Sequence, residues 1–162
     1  MYKATRELIK ARQKYSPYPV EKLTRVHQVG GGAPNDCFNN ACIALERENG
    51  VQVVSGWVVD RYNPKGDFTE ITQHWWNIDN KGKYFDTTPN IGDEFEYVID
   101  VGIAVFGQKY LDQITSCVCS SLILQKNNFK AINLVGKKLI SRPIPNVSND
   151  SLFANQFLKE AA

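Results

Sequence analysis

The sequence predicts a single α+β domain in which one helix packs on an antiparallel sheet. Three observations lead there. CFNNACIALERENG carries the clearest helical pattern in the chain, and the valine-rich run VQVVSGWVVDRY follows it directly. FTEITQHWWNID and KYFDTT then flank a tight NKG turn, as the two strands of a hairpin do.

Taken in order, residues 2–14 form a weakly amphipathic helix, with Ala4, Leu8 and Ile9 set among charged residues. YSPYPV ends it, because proline opposes helix. VHQVGGGAPND is a loop holding Gly30, Gly31 and Gly32. The next helix has Asn35 or Asp36 to cap it, Ala41, Ile43, Ala44 and Leu45 as its apolar surface, and Asn49-Gly50 to stop it. The three strands come next. Residues 91–116 read as helical or mixed. CVCSSLILQ and KAINLVG fit either further strands or a buried helix, which periodicity does not separate. RPIPNVSND is a linker, and residues 151–160 form a short terminal helix. The whole, residues 1–162, is one domain.

At 162 residues, with 43% apolar and 22% charged side chains, the chain can bury a core without disulfide or metal staples. A net charge of +2 and the lack of a basic run argue against a nucleic-acid partner. No apolar stretch is long enough to span a membrane, and no secretory leader is visible, so a cytoplasmic location is expected. The four cysteines, Cys37, Cys42, Cys117 and Cys119, would then stay reduced, and their spacing is not that of a zinc site. No metal or other cofactor is expected. Gly30–Gly32 is not followed by the Lys-Ser/Thr of a phosphate loop.

Cys37 falls in the first turn of the second helix. Backbone N–H groups there have no helical partner and the dipole is positive, so a thiolate is favoured. Thiols so placed can titrate well below their usual value of about 8.5. A nucleophilic thiol needs a base, and the base needs an orienter. His74 lies on one strand of the hairpin and Asp86 on the next. A turn centred near Asn80 sets the two opposite each other or one step apart, so a carboxylate would hold one imidazole nitrogen while the other faces the thiol. Strand alternation puts Trp76 on the face of His74 and Trp75 on the other. Trp76, Trp57, Gly31 and Gly32 are therefore candidates to line a substrate cleft. His27 is assigned a surface or structural role.

The segments GAPNDCFNNACIAL, VSGWVV, QHWWNI and GKYFDTTP resemble the core of the transglutaminase-like (papain-like) cysteine-enzyme superfamily. They are most similar to small bacterial and phage proteins with a Cys-x-x-Asn-Ala helix start and a His-x-Trp…Asp-x-Thr-Pro hairpin. The resemblance covers residues 35–89. It implies Cys37 as nucleophile, His74 as base and Asp86 as its orienter, with Asn40, Asp36 and Gln28 supporting the site or its oxyanion. It implies acyl or amide chemistry through an acyl-enzyme, with hydrolysis (peptidase, amidase or deamidase) preferred. Acyl transfer of the transglutaminase kind and a non-catalytic peptide- or ligand-binding module are the alternatives. The partner would be a protein, a peptide or a small amide-bearing substrate, met in the cytoplasm of a bacterium or of a phage-infected cell. Oligomeric state stays open.

Overall fold

The structure, a computed structural model, describes residues 1–15, 17–60, 68–103, 121–125 and 128–132. Cys117, Cys119 and the expected terminal helix 151–160 lie outside the described residues.

The element order is α1 (Lys3–Tyr15), β1 (Val20–Lys22), β2 (His27–Gln28), α2 (Cys37–Arg47), β3 (Gln52–Val59), β4 (Phe68–Ile78), β5 (Tyr84–Asp86), β6 (Glu96–Asp100), β7 (Ser121–Gln125) and β8 (Asn128–Ile132). Among the described residues, eight strands join one mixed sheet. Six run in the order β1-β6-β3-β4-β5-β2, and the β7–β8 pair attaches to β4. Of these described pairings, β2–β5 alone is parallel.

The register sorts side chains onto two faces. Gly56 pairs with both His74 and Ile99, Val54 with Trp76, and Val58 with Thr72 and Tyr97. Paired residues share a face and alternate ones are opposed. One face thus carries Val54, Val58, Trp76, Ile78, Tyr97 and Ile99, which bury together with Leu23 and Val101. His74 belongs to this face. The other face carries Val53, Trp57, Val59, Ile71, Trp75 and Val98, and both helices cover it.

Each helix presents a stripe to that second face. In α2, Phe38, Ala41, Cys42 and Leu45 recur at helical spacing and pack on Val53 and Trp75. Phe38 meets Trp75 edge to face, with centroids 4.9 Å apart. In α1, Ala4 and Leu8 lie on Val20, Trp57, Val59, Ile71 and Val98. Burying Leu8 alone contributes about 2 kcal/mol. The central strand β3 is covered on both faces, so nearly every residue from Val53 to Val59 is buried and no apolar–polar alternation survives.

Several sequence expectations shift. Residues 96–100, read as helical or mixed, are the strand β6, held between β1 and β3. Of the two readings open for the tract that follows, strands hold for Ser121–Gln125 and Asn128–Ile132, which pair antiparallel. Val20–Lys22, after the prolines, and His27–Gln28, inside the expected loop, are short strands that add to the sheet through partners far away in sequence.

Candidate active site

His74 and Asp86 form the centre of the site. His74 Nε2 lies 2.6 Å from Asp86 Oδ2, and both side chains are buried, at 3% and 1% exposure. A carboxylate only accepts, so Nε2 carries the proton toward it and Nδ1 is left as the nitrogen able to act as a base.

The two residues are not directly opposed. The hairpin pairs Asn77 with Phe85 and Ile78 with Tyr84. Continuing that register brings Asp86 beside Trp76, one diagonal step from His74. The reason is the turn. Asp79 N–H donates to Lys83 C=O at 3.0 Å, and Gly82 sits at φ 78, so the reversal centres on Lys81 rather than Asn80. Asp79 Oδ1 fixes it by accepting from the amides of Lys81 and Lys83. Diagonal residues on one face stand about 7–8 Å apart at Cα, within reach of an imidazole and a carboxylate.

Asp86 is clamped from four sides. Oδ2 also accepts from the Tyr97 hydroxyl at 2.7 Å, and Oδ1 accepts from the Thr88 amide at 2.8 Å. Its carbonyl accepts from the Val29 amide at 2.8 Å, where β2 runs parallel to β5. Burial by itself would raise the carboxyl pKa. The bonds from His74, Tyr97 and Thr88, with the His74 charge, more than offset it and hold the carboxyl below its ordinary value.

The His74 ring is flanked by aromatics. Trp76 stacks on it nearly parallel, with centroids 6.0 Å apart, and Tyr97 approaches edge-on at 5.9 Å. Trp76 is fully buried. It is thus a wall that fixes the imidazole rather than the open cleft flank expected from the sequence. Gly56 makes room for it. A Cβ there would lie 2.5 Å from the Trp76 ring edge and would strike the Val98 carbonyl and Ile99 Cα.

Cys37 opens α2 and is 5% exposed, packed with Phe38, Ala41, Cys42, Val53 and Trp75. The first helical backbone bond runs from the Asn40 amide to the Asp36 carbonyl at 2.9 Å. The amides of Cys37, Phe38 and Asn39 stand ahead of it, in the turn where the helix has no carbonyl to offer. Helix α2 belongs to the face opposite His74, and negative charge on Cys37 is the smallest of the causes that raise the Tyr97 hydroxyl pKa. On the edge of β4 away from β3, β7 pairs with Phe68–Thr72 and β5 with Asn77–Ile78. Among the described residues no strand pairs with 73–76 between them.

Asn40 ties the helix start to this edge. Its Oδ1 accepts from the Ala33 amide at 2.9 Å, and its Nδ2 donates to the Ala33 carbonyl at 2.8 Å and to Thr88 Oγ1 at 3.3 Å. It links the glycine loop to the segment after Asp86. Gly32 lies flat on the Asn40 amide, where a Cβ would fall 2.5 to 2.7 Å from it, so it is a packing contact rather than a cleft wall. Gly31 is exposed. Asp36 holds the N-cap position without a side-chain cap bond, and its Oδ2 accepts from Asn39 Nδ2 at 3.2 Å.

Two expectations are corrected. Trp57 is on the helix-covered face, where its Nε1 donates to Asp100 Oδ2 at 3.1 Å, so it does not line a cleft with His74. Gln28 was expected as an oxyanion donor, but its Nε2 donates to the Tyr97 hydroxyl at 2.6 Å, on the Asp86 side of the imidazole. Tyr97 itself was missed. The signal was EYVID, a short aromatic and β-branched run preceded by turn residues. His27, at the edge strand β2, pairs through its backbone with Phe85, in line with a structural role.

Among the described residues no group of three or more His, Cys, Asp or Glu side chains is placed to hold a metal ion. No helix among them is long and apolar enough to cross a membrane. Compared with known proteins, the chain matches no family model, no curated protein and no solved structure.

Proposed function

We propose that the chain is a cysteine enzyme of transglutaminase-like type that works on an acyl or amide group, most simply by hydrolysis. The observation that carries this reading is the buried 2.6 Å contact between His74 Nε2 and Asp86 Oδ2, on the strand that also runs beneath α2, whose first turn holds Cys37. In the proposed reaction Nδ1 of His74 takes the thiol proton and Cys37 Sγ attacks the carbonyl carbon. First-turn amides of α2 receive the oxyanion. The imidazolium, steadied by Asp86, returns the proton to the departing amine, which leaves an acyl-enzyme. Water, deprotonated by His74, then releases the acid and restores the thiol. An amine in place of water would give transfer. The transglutaminase-like fold belongs to the same proposal and is supported by the helix-start thiol followed by His and Asp on consecutive antiparallel strands.

A second reading is favoured by burial. Cys37, His74 and Asp86 are all buried, as suits a module that holds a peptide or small ligand without turning it over. Residue-resolved alkylation with iodoacetamide separates the two. The enzyme reading expects Cys37 to react faster than Cys42, Cys117 and Cys119 near neutral pH, and His74→Ala to abolish that advantage. Equal rates at all four thiols would reject the activated nucleophile and leave the binding module.

A further inference from the structure

Tyr97 on β6 joins the site from outside the three residues Cys37, His74 and Asp86. Its hydroxyl donates to Asp86 Oδ2 at 2.7 Å, the oxygen that also receives His74 Nε2 at 2.6 Å. The same hydroxyl accepts from Gln28 Nε2 at 2.6 Å. A directed chain therefore runs from Gln28 to Tyr97 to Asp86, and meets His74 at one oxygen atom. The ring of Tyr97 also meets His74 and Trp76 edge to face, with centroids 5.9 and 5.2 Å apart.

We propose that Tyr97 is a positioning residue of the site: by donating to the shared oxygen of Asp86 it limits how strongly that carboxylate draws on the His74 imidazole, and Gln28 reinforces it. The inference deepens the enzyme reading, which makes His74 the base, but the hydrogen-bond chain has consequences of its own. Two donors at one carboxylate oxygen compete for its electron density. Removing the tyrosine donor leaves the imidazole as the sole partner of Oδ2, so the His74–Asp86 bond tightens. Removing Gln28 makes the Tyr97 O–H a weaker donor, because bonds in a chain polarise one another. The effect then has the same sign and a smaller size.

The titratable groups that act on this chain are His74 from β4, Asp86 from β5, Tyr97 from β6 and Cys37, through its charge, from α2. Burial, then the Asp86 charge, push the Tyr97 hydroxyl far above its ordinary range, so it remains a donor at every working pH.

The test compares the parent chain with Tyr97→Phe and Gln28→Ala by proton NMR of the His74 Nε2–H resonance. A bond that tightens moves it downfield. The expected result is a downfield shift in Tyr97→Phe and a smaller one in Gln28→Ala, with the Asp86 carboxyl titrating at higher pH in Tyr97→Phe. Tyrosine that only filled space would leave the resonance in place or, by loosening the packing, move it upfield; either result overturns the proposal. If Tyr97→Phe does not fold, Gln28→Ala decides alone, since Gln28 is exposed on an edge strand and its loss leaves the core intact. Iodoacetamide alkylation of Cys37 in the same samples reports separately on the enzyme reading. An unactivated thiol with a shifted resonance rejects the enzyme and keeps the positioning role.

Discussion

His74 reaches Asp86 on the diagonal of the β4–β5 register, through a 2.6 Å bond one step beyond the last backbone pair, Asn77 with Phe85. Trp76, two residues along the same strand and on the same face, stacks on the His74 ring. The imidazole thus has a carboxylate at its end and an indole on its face. Asp86 is the member with the most to lose. It accepts from His74, Tyr97 and Thr88, and no neutral side chain of its size can accept all three.

Asp86→Asn is therefore expected to cost about 2–3 kcal/mol at neutral pH, measured by urea unfolding. The pH dependence has a definite sign. The folded carboxyl lies below its ordinary value of 3.8, so the unfolded chain binds the proton more readily. The stabilisation is complete above the ordinary value and drains away as pH falls through the folded one. The parent should lose stability steeply below about pH 4, and Asp86→Asn should show a flatter acid limb. An acid limb unchanged by the substitution would mean that Asp86 does not carry this linkage.

Gly56 governs whether the site can exist at all. A methyl group there meets Val98 O and Ile99 Cα, which are backbone, as well as the Trp76 ring, so a rotamer change cannot relieve it. Gly56→Ala should cost about 3 kcal/mol or more, at the upper end for overpacking because main chain is struck. Trp76 would be pushed off His74, which near-ultraviolet circular dichroism would report as a changed tryptophan band. A variant with parent stability would show that the β3–β6 spacing yields more readily than close packing allows.

Asn40 joins three segments through one amide, so its loss should be felt locally first. Asn40→Ala strands the Ala33 amide and carbonyl and the Thr88 hydroxyl, at a cost of about 2 kcal/mol. Amide exchange at Ala33 should accelerate, and exchange in β3 should track only the global loss of stability. Protection at Ala33 equal to the parent's would mean that the glycine loop is held by its backbone bonds to Asp86 and Thr87 alone.

What the sequence made legible was local. Helix α2, strand β4 and the hairpin follow from periodicity and turn chemistry, and with them the pairing of His74 with Asp86. The diagonal offset was not legible, because it depends on whether the reversal centres on Asn80 or Lys81, a matter of one glycine's φ. Trp57 was misplaced for a related reason. Alternation fixes a residue's face relative to its neighbours in β3, but only the β3–β4 register shows that Gly56, not Trp57, shares the face of His74. Tyr97 lies eleven residues beyond Asp86 on a strand three places away in the sheet, so no spacing rule connects them. Asn40 was legible in place and partly in role.

The carboxylate on the opposite face gives a contrast in which chemistry is absent and only stability is at stake. Asp100 is fully buried, and its Oδ2 accepts from Arg12 Nε at 2.6 Å and from Trp57 Nε1 at 3.1 Å. Arg12 continues the α1 stripe of Ala4 and Leu8 at four-residue spacing, so the helix reaches the sheet through two apolar contacts and then one ionic contact. Removing the cation leaves a buried charge with an indole as its remaining partner in this cluster. Arg12→Ala is expected to destabilise by about 2–3 kcal/mol, below the full cost of breaking a buried pair from one side because the Arg12 side chain is itself 34% exposed. The double replacement Arg12→Met with Asp100→Leu should recover most of that loss, since a packed apolar pair needs no compensation. Urea unfolding of the two variants checks both claims, with His74 Nε2–H NMR as the control that the far face is undisturbed. Should the double replacement prove no more stable than Arg12→Ala, the ion pair would be contributing alignment of α1 on the sheet as well as charge balance.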